Sequence, residues 1–390
     1  MQFIVKTIKN NEINEIKSEL LKTGFDKNYL DLAVLKHHFL TLKIQNLPPY
    51  VATIIKQTAL SKSTDAAVHR NVLTNDIEKS DLIISGSIKQ LKEITKSLYN
   101  QPFNLKEIAR LIENEINLNC KIKKTSIMGI LNITPDSFSD GGKYTDFKNA
   151  IAHANKMIND GADIIDIGAE STRPGAKAVE PDIEIERLKD VVCELKKNGI
   201  KISVDTRNHK TAQKMIELGA DIINDVSGLE YDSRMIDIIK NSNVQIVVMH
   251  SKGTPETMDG LNNYQNMTDE IYNMLYKKIE FLQENGVDTK RIIIDTGFGF
   301  AKNVEQNFEL LKKIKEFNSL GVKHLAGTSR KRFLKSLVNT NDNEFLDEVT
   351  MLSSFYLVCE KIDILRVHNV KKTKLALDFY NAIYSQKPCL

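Results

Sequence analysis

The chain has 390 residues, 41% hydrophobic and 27% charged, which supplies a large core and excludes a chain that is disordered throughout. Its 54 basic and 51 acidic residues interleave to a net charge of +3, leaving no contiguous basic stripe, so a nucleic-acid partner is not expected. No stretch is long and apolar enough to suggest a membrane span, so no membrane partner is expected either.

At the amino terminus, Met1 to Asn11 mixes lysines with apolar residues and does not make the continuous apolar stretch of a signal peptide. Beyond it, helical periodicity predicts helices at Glu12 to Lys22, Tyr50 to Ala59, Ile88 to Tyr99 and Leu105 to Ile116, with a short candidate strand at Leu82 to Ser85. Residues 1–120 therefore form an α+β or mostly helical module without an assigned role, joined by a linker near Asn119 to Lys124 to a second domain, 121–390.

From residue 126 the rhythm changes. Short β-branched runs at 127–133, 163–168, 202–205, 221–226, 244–249, 291–295, 324–328 and 363–367 alternate with amphipathic stretches such as Phe147 to Asn159, Ile183 to Lys197, Met267 to Glu284 and Val304 to Phe317. Eight strand-then-helix repeats predict a closed parallel (β/α)8 barrel, for which about 250 residues suffice. An open doubly wound sheet is the rival, but the Gly-x-Gly-x-x-Gly turn expected after its first strand is absent. The four cysteines, Cys120, Cys193, Cys359 and Cys389, lie far apart without a Cys-x-x-Cys pair, which suggests neither a disulfide framework nor a zinc site and favours a cytoplasmic location.

In such a barrel the reacting groups sit where strands end. Run one ends in Asn132 and a Gly-rich polar loop, and run two in a loop with Arg173 at its tip. Runs three, four and six end in Asp205, Asn224 and Asp295, whereas run seven ends in Ser329-Arg330-Lys331-Arg332 and run eight in Arg366-Val367-His368. Acceptors gather on one flank and cations on the other, an arrangement suited to a polar heterocycle with donor edges that carries or sheds an anionic group such as phosphate. Taken singly, Asp205 or Asn224 is as readily a helix cap, Arg366 a surface arginine and His368 a satisfied histidine. His250, which ends run five, reads as a structural residue rather than a ligand.

Two stretches add a specific resemblance. Gly129 to Gly142, GILNITPDSFSDGG, and Ile165 to Ala176, IDIGAESTRPGA, resemble the two signatures of the dihydropteroate synthase family, and the Asp205, Asn224, Asp295 to Phe300, Ser329 to Lys331 and Arg366 to His368 segments follow in that family's order. The resemblance spans about residues 125–385. It implies condensation of a 6-hydroxymethyl-7,8-dihydropterin pyrophosphate with p-aminobenzoate, giving 7,8-dihydropteroate and pyrophosphate, in a homodimer that uses Mg2+. It further implies that Asp205, Asn224, Asp295 and Lys331, with Thr172 nearby, hold the pterin ring, and that Asn132, Arg366 and His368 hold the pyrophosphate, with Asn132 also at the metal. Asn132, Lys331, Arg366 and His368 are then the catalytic set, and Phe138, Asp140, Arg173, Pro174, Phe300 and Arg332 belong to the p-aminobenzoate pocket and its mobile loops.

The chemistry needs stabilisation of a leaving anion and positioning of an arylamine that is already unprotonated at neutral pH, so no catalytic triad is expected. Thr296, Arg332 and Ser251-Lys252 depart from the family's usual proline, serine and methionine. Two alternatives remain: a methyltetrahydrofolate-binding methyltransferase domain, which would not need the anion-holding groups, and a non-catalytic pterin-binding paralogue.

Overall fold

The computed structural model describes residues 3–8, 13–74, 76–120, 124–133, 142–170, 179–253, 257, 260–338 and 342–384. The predicted loop residues Phe138, Asp140, Thr172, Arg173 and Pro174 lie outside this set. The chain divides into two compact units, one within residues 1–122 and one within 123–386.

The first unit is α+β. An antiparallel sheet orders β1 (Phe39–Leu47), β3 (Ser80–Ser87) and β2 (Asp65–Val68), with β3 in the centre. Along β3 burial alternates, Leu82 and Ile84 facing the core while Asp81, Ile83 and Ser85 face outward, as a sheet covered on one side requires. Helices Pro49–Ser61, Ile88–Tyr99 and Leu105–Cys120 contribute to the same core through Val51, Ile55, Leu91, Ile94, Leu98 and Leu105. Ser87 and Gln90 form a capping box that ends β3 and starts the next helix. β1 and β2 fall outside the sequence-based expectation. In β1, Leu40, Leu42 and Ile44 do alternate, but they are only half-buried and interleaved with Thr41 and Lys43, so no continuous apolar run marks the strand.

The second unit is the (β/α)8 barrel. Its strands are β4 (Ser126–Asn132), β5 (Ile164–Gly168), β6 (Ile202–Asp205), β7 (Ile222–Asp225), β8 (Gln245–Met249), β9 (Ile292–Asp295), β10 (Lys323–Ala326) and β11 (Ile364–Val367), all parallel and closed by β11 against β4. Every strand is followed by a helix, the long ones including Gly142–Asn159, Pro181–Lys197, Met267–Glu284, Asn343–Cys359 and Val370–Tyr384. The predicted helix Val304 to Phe317 is instead α-helical over Val304–Lys313 and 3-10 over Ile314–Leu320, ending at Gly321 with φ +74°.

Strand sequences such as IIID and QIVVM are apolar nearly throughout because both faces are buried. One face packs on the surrounding helices through Ile165, Ile167, Val204, Ile246, Val248, Ile292 and Ile294. The other face fills the barrel axis with a layer of Met128, Ile164, Ile222, Val247, Ile293, Leu325 and Ile364. Because strand side chains repeat with period two, the next inward-facing residues toward the carboxyl ends are Asp166, Asn224, Asp295 and Arg366. The site therefore rests on an apolar floor.

Candidate active site

Register places Asn132 beside Gly168, Gly168 beside Asp205, and Asp205 beside Asn224 on four successive strands. Gly168 keeps this quarter of the mouth open: a Cβ there would lie 3.4 Å from the Asp205 Cβ and 3.9 Å from the Asn132 Oδ1. Asn132 is exposed, whereas Asp205, Asn224 and Asp295 are buried.

Arg366 organises the floor. Its Nε donates to Asp166 Oδ2 at 2.6 Å and its Nη2 donates to Asp205 Oδ2 at 2.6 Å. Asn224 Nδ2 donates to the same Asp166 oxygen at 3.2 Å, which fixes the amide so that its carbonyl oxygen is left as an acceptor. Asp166 is fully buried, and its Oδ1 has no hydrogen-bond partner among the described residues. Asp166 lies outside the sequence-predicted site because it stands two residues before the end of its strand. The available signal was its period-two relation to Gly168 within IIDIG, a carboxylate on the inward face of an otherwise apolar strand.

The electrostatics follow from burial. Desolvation pushes the Asp205 carboxyl up, to about 7, against the pull of Arg366 and with a further push from Asp166. Burial also raises Asp295, although its Oδ1 accepts the Gly297 N–H at 2.8 Å and Lys331, Arg366 and Lys302 draw it down. Burial opposes the Arg366 charge too, yet Asp166 and Asp205 outweigh it and hold the guanidinium above its ordinary range.

Arg366 is thus not a free anion holder, as strand-end chemistry alone suggested, but a shared partner of two carboxylates. Only two of its five N–H groups are committed to them, so donors remain for an anion above.

His368 differs from the sequence picture of a cationic flank. Burial, helped by Arg330 and Arg366, pushes its imidazole down to about 3, so the ring is neutral at pH 7. Ser329 Oγ accepts the His368 backbone N–H at 3.2 Å and stands 2.9 Å from Nδ1, so its own proton is placed to donate there. The ring hydrogen then resides on Nε2, and His368 offers an anion a neutral donor rather than a charge.

Lys331 Nζ lies 4.2 Å from the centroid of the Phe300 ring. Burial lowers its pKa to about 8, with Asp295 opposing and Arg366 reinforcing the fall. Arg330 is bound to Asp347 through Nε at 2.7 Å and Nη2 at 2.9 Å, a bidentate clamp that fixes the turn before Lys331. Arg332 is exposed at the start of the Arg332–Lys335 helical turn. Thr296 is buried, and its hydroxyl has no partner among the described residues.

The fold thus brings Asp205, Asn224, Asp295, Lys331, Arg366 and His368 to one barrel mouth. Lys331 interacts electrostatically with Asp295, Arg366 and Asp205, and His368 with Arg366 and Lys331. Among the described residues no three carboxylate, histidine or cysteine side chains converge as a cation cage. The Asn132 amide oxygen suits instead a hard cation that brings water and phosphate oxygens as its other ligands. Cys193 and Cys359 form no disulfide, and no helix among the described residues is long and apolar enough to cross a membrane.

Comparison with known proteins bears on this geometry. Residues 128–368 match the family described as pterin binding enzymes. The dihydropteroate synthase of Bacillus subtilis is 42% identical over 251 residues, covering 64% of this chain and 85% of that protein. The solved structure of Xanthomonas albilineans dihydropteroate synthase with 4-aminobenzoic acid matches with TM-score 0.64 and 35% identity, covering 68% of this chain and 94% of that one. The same organism's enzyme in complex with 7,8-dihydropteroate matches with TM-score 0.62 and 31% identity over 68% and 95% of the two chains.

Proposed function

Because this chain belongs to the pterin-binding enzyme family, we propose that its barrel joins a 6-hydroxymethyl-7,8-dihydropterin pyrophosphate to p-aminobenzoate, forming 7,8-dihydropteroate and pyrophosphate. The observation that carries this reading is a mouth in which Asp205, Asn224 and Asp295 meet Arg366, His368 and Lys331 on one floor. A methyltransferase domain that binds a folate has no use for that second group.

The pterin ring presents donor edges, and this chain supplies acceptors: a carboxylate at Asp205, the freed carbonyl of Asn224 and the second oxygen of Asp295. Lys331 faces the same ring from the Phe300 side. The reaction breaks the bond between the pterin methylene carbon and the pyrophosphate oxygen and forms a carbon–nitrogen bond to the arylamine, whose proton passes to solvent. Arg366 offers its uncommitted N–H groups and His368 its Nε2–H to the departing anion, donors already in place as charge builds on it. Asn132 would hold Mg2+ together with phosphate oxygens and water, and the bound ion supplies charge neutralisation at the pyrophosphate.

A homodimer in the cytoplasm completes the proposal. An apolar strip on the last two long helices supports self-association: Phe345, Leu352, Leu375 and Phe379 are each more than half exposed.

The direct test supplies purified protein with both substrates and Mg2+. Coupled release of pyrophosphate and dihydropteroate is expected, and ring binding without turnover would favour the non-catalytic paralogue. Lys331 adds a pH signature. It is charged below about pH 8 and neutral above, so kcat/KM for the pterin substrate should fall with a slope of about −1 per pH unit beyond that point. Lys331→Met should be slower and flat across the same range. An alkaline limb that survives in the variant would remove Lys331 from this role.

A further inference from the structure

One half-buried cation near the mouth touches no substrate in the chemistry above. Lys302 follows the Gly297–Ala301 loop, and its Nζ lies 2.9 Å from Gly297 O, 3.0 Å from Phe300 O and 3.0 Å from His250 Nδ1. An ammonium has three hydrogens, and here it meets three acceptors. His250 is itself buried, and its backbone N–H donates to Asp295 O at 2.9 Å. With Nδ1 accepting, its ring hydrogen sits on Nε2.

The loop so held is backbone-strained and tightly packed. Gly297, Gly299 and Ala301 have φ of +69°, +76° and +48°, the last in a region that disfavours a residue with a Cβ. A Cβ on Gly297 would come within 2.0 Å of His250 O, so the loop lies directly on that strand end. Further ties are the Gly299 N–H to Asn307 Oδ1 at 2.7 Å and the Tyr264 hydroxyl to Ala301 O at 3.0 Å. Phe298 turns away from the mouth to stack on Phe333 at 5.8 Å, whereas Phe300 meets Lys331.

We propose that Lys302, with His250 as its acceptor, is a positioning residue for the arylamine substrate: by fixing Gly297 O and Phe300 O it sets the Phe300 ring against Lys331. The proposal rests on the synthase reaction proposed above and on Phe300 lining the arylamine's place in it. Asp295 depends on Lys302 less: Lys302 comes after Lys331 and Arg366 among the charges that draw its carboxyl down, and its backbone is held by strand pairing with β8 and β10. Burial lowers the Lys302 pKa, to about 7, with Asp295 opposing.

The test is steady-state kinetics of Lys302→Met in the full-length enzyme, with each substrate varied in turn. The KM for p-aminobenzoate should rise about tenfold or more, while the KM for the pterin pyrophosphate stays within about twofold. In a Phe300→Ala background the Lys302→Met change should add little, since both act on one contact. If Lys302→Met does not accumulate as folded protein, His250→Leu removes one of the three acceptors and should raise the p-aminobenzoate KM about threefold. Equal changes in both KM values, additivity with Phe300→Ala, or an unchanged p-aminobenzoate KM in a folded variant would each overturn the proposal. Failure of the wild-type enzyme to make dihydropteroate would count against the reaction itself and is read separately.

Discussion

Asp205→Ala is expected to remove measurable binding of the pterin substrate while leaving the barrel folded. The carboxylate is buried at the mouth, tied on one side to Arg366 and open on the other to a ligand's N–H groups. Hydrogen bonds to a charged acceptor contribute about 1.5–3 kcal/mol each, so losing two weakens binding by roughly 100-fold to 10,000-fold. The fold survives because Arg366 keeps Asp166 as a partner.

The Asp205 pKa of about 7 adds a pH signature. As pH falls through that value the acceptor gains a proton, so wild-type ring affinity should weaken on the acid side, and Asp205→Ala should lack that step. Isothermal titration calorimetry with the pterin pyrophosphate reads both effects, with a circular dichroism melt as the control for folding. A dissociation constant within about threefold of wild type would take Asp205 out of the ring site.

Arg366→Ala is expected to be the most damaging single change, because it strikes stability and turnover together. Two buried carboxylates, Asp166 and Asp205, lose the one guanidinium that binds both. Breaking a buried pair from one side costs about 3–5 kcal/mol, a large share of the stability of an ordinary domain. One carboxyl must then take up a proton, which misplaces the acceptor the ring uses. The same substitution removes donors placed for the leaving anion, a loss of about 100-fold to 1,000-fold in kcat by analogy with removal of a single preorganised donor.

Strand-end chemistry alone predicts a loss of catalysis greater than the loss of ring binding. The double ion pair adds a loss of ring affinity. Urea denaturation and single-turnover rates separate the two contributions. Adding Asp166→Asn to Arg366→Ala should recover part of the stability and none of the rate, since it removes an uncompensated charge without restoring a donor. A double variant no more stable than the single one would show that the Asp166–Arg366 contact is not what the single variant loses.

These expectations depend on knowing which groups touch, and that knowledge divides between sequence and fold. The sequence by itself determined the barrel, because eight β-branched runs separated by amphipathic stretches have few other ways to bury themselves. It also determined which strand ends carry Asp205, Asn224, Asp295, Lys331, Arg366 and His368, since polar residues that close apolar strands fall at one rim of a parallel barrel.

What only the tertiary structure decided is how those groups share one another. Arg366 and Asp166 are 200 residues apart in the chain, and nothing local signals that one guanidinium will bind two carboxylates or that Asn224 will be turned by Asp166. Burial, which no residue type encodes, makes His368 a neutral donor rather than a cation. It also brings Lys302, beyond the glycine-rich end of β9, against His250 at the end of β8. Periodicity reports which way a strand residue faces. Closure of the barrel, a non-local event, selects the partner it meets and the solvent it loses, and through these its charge.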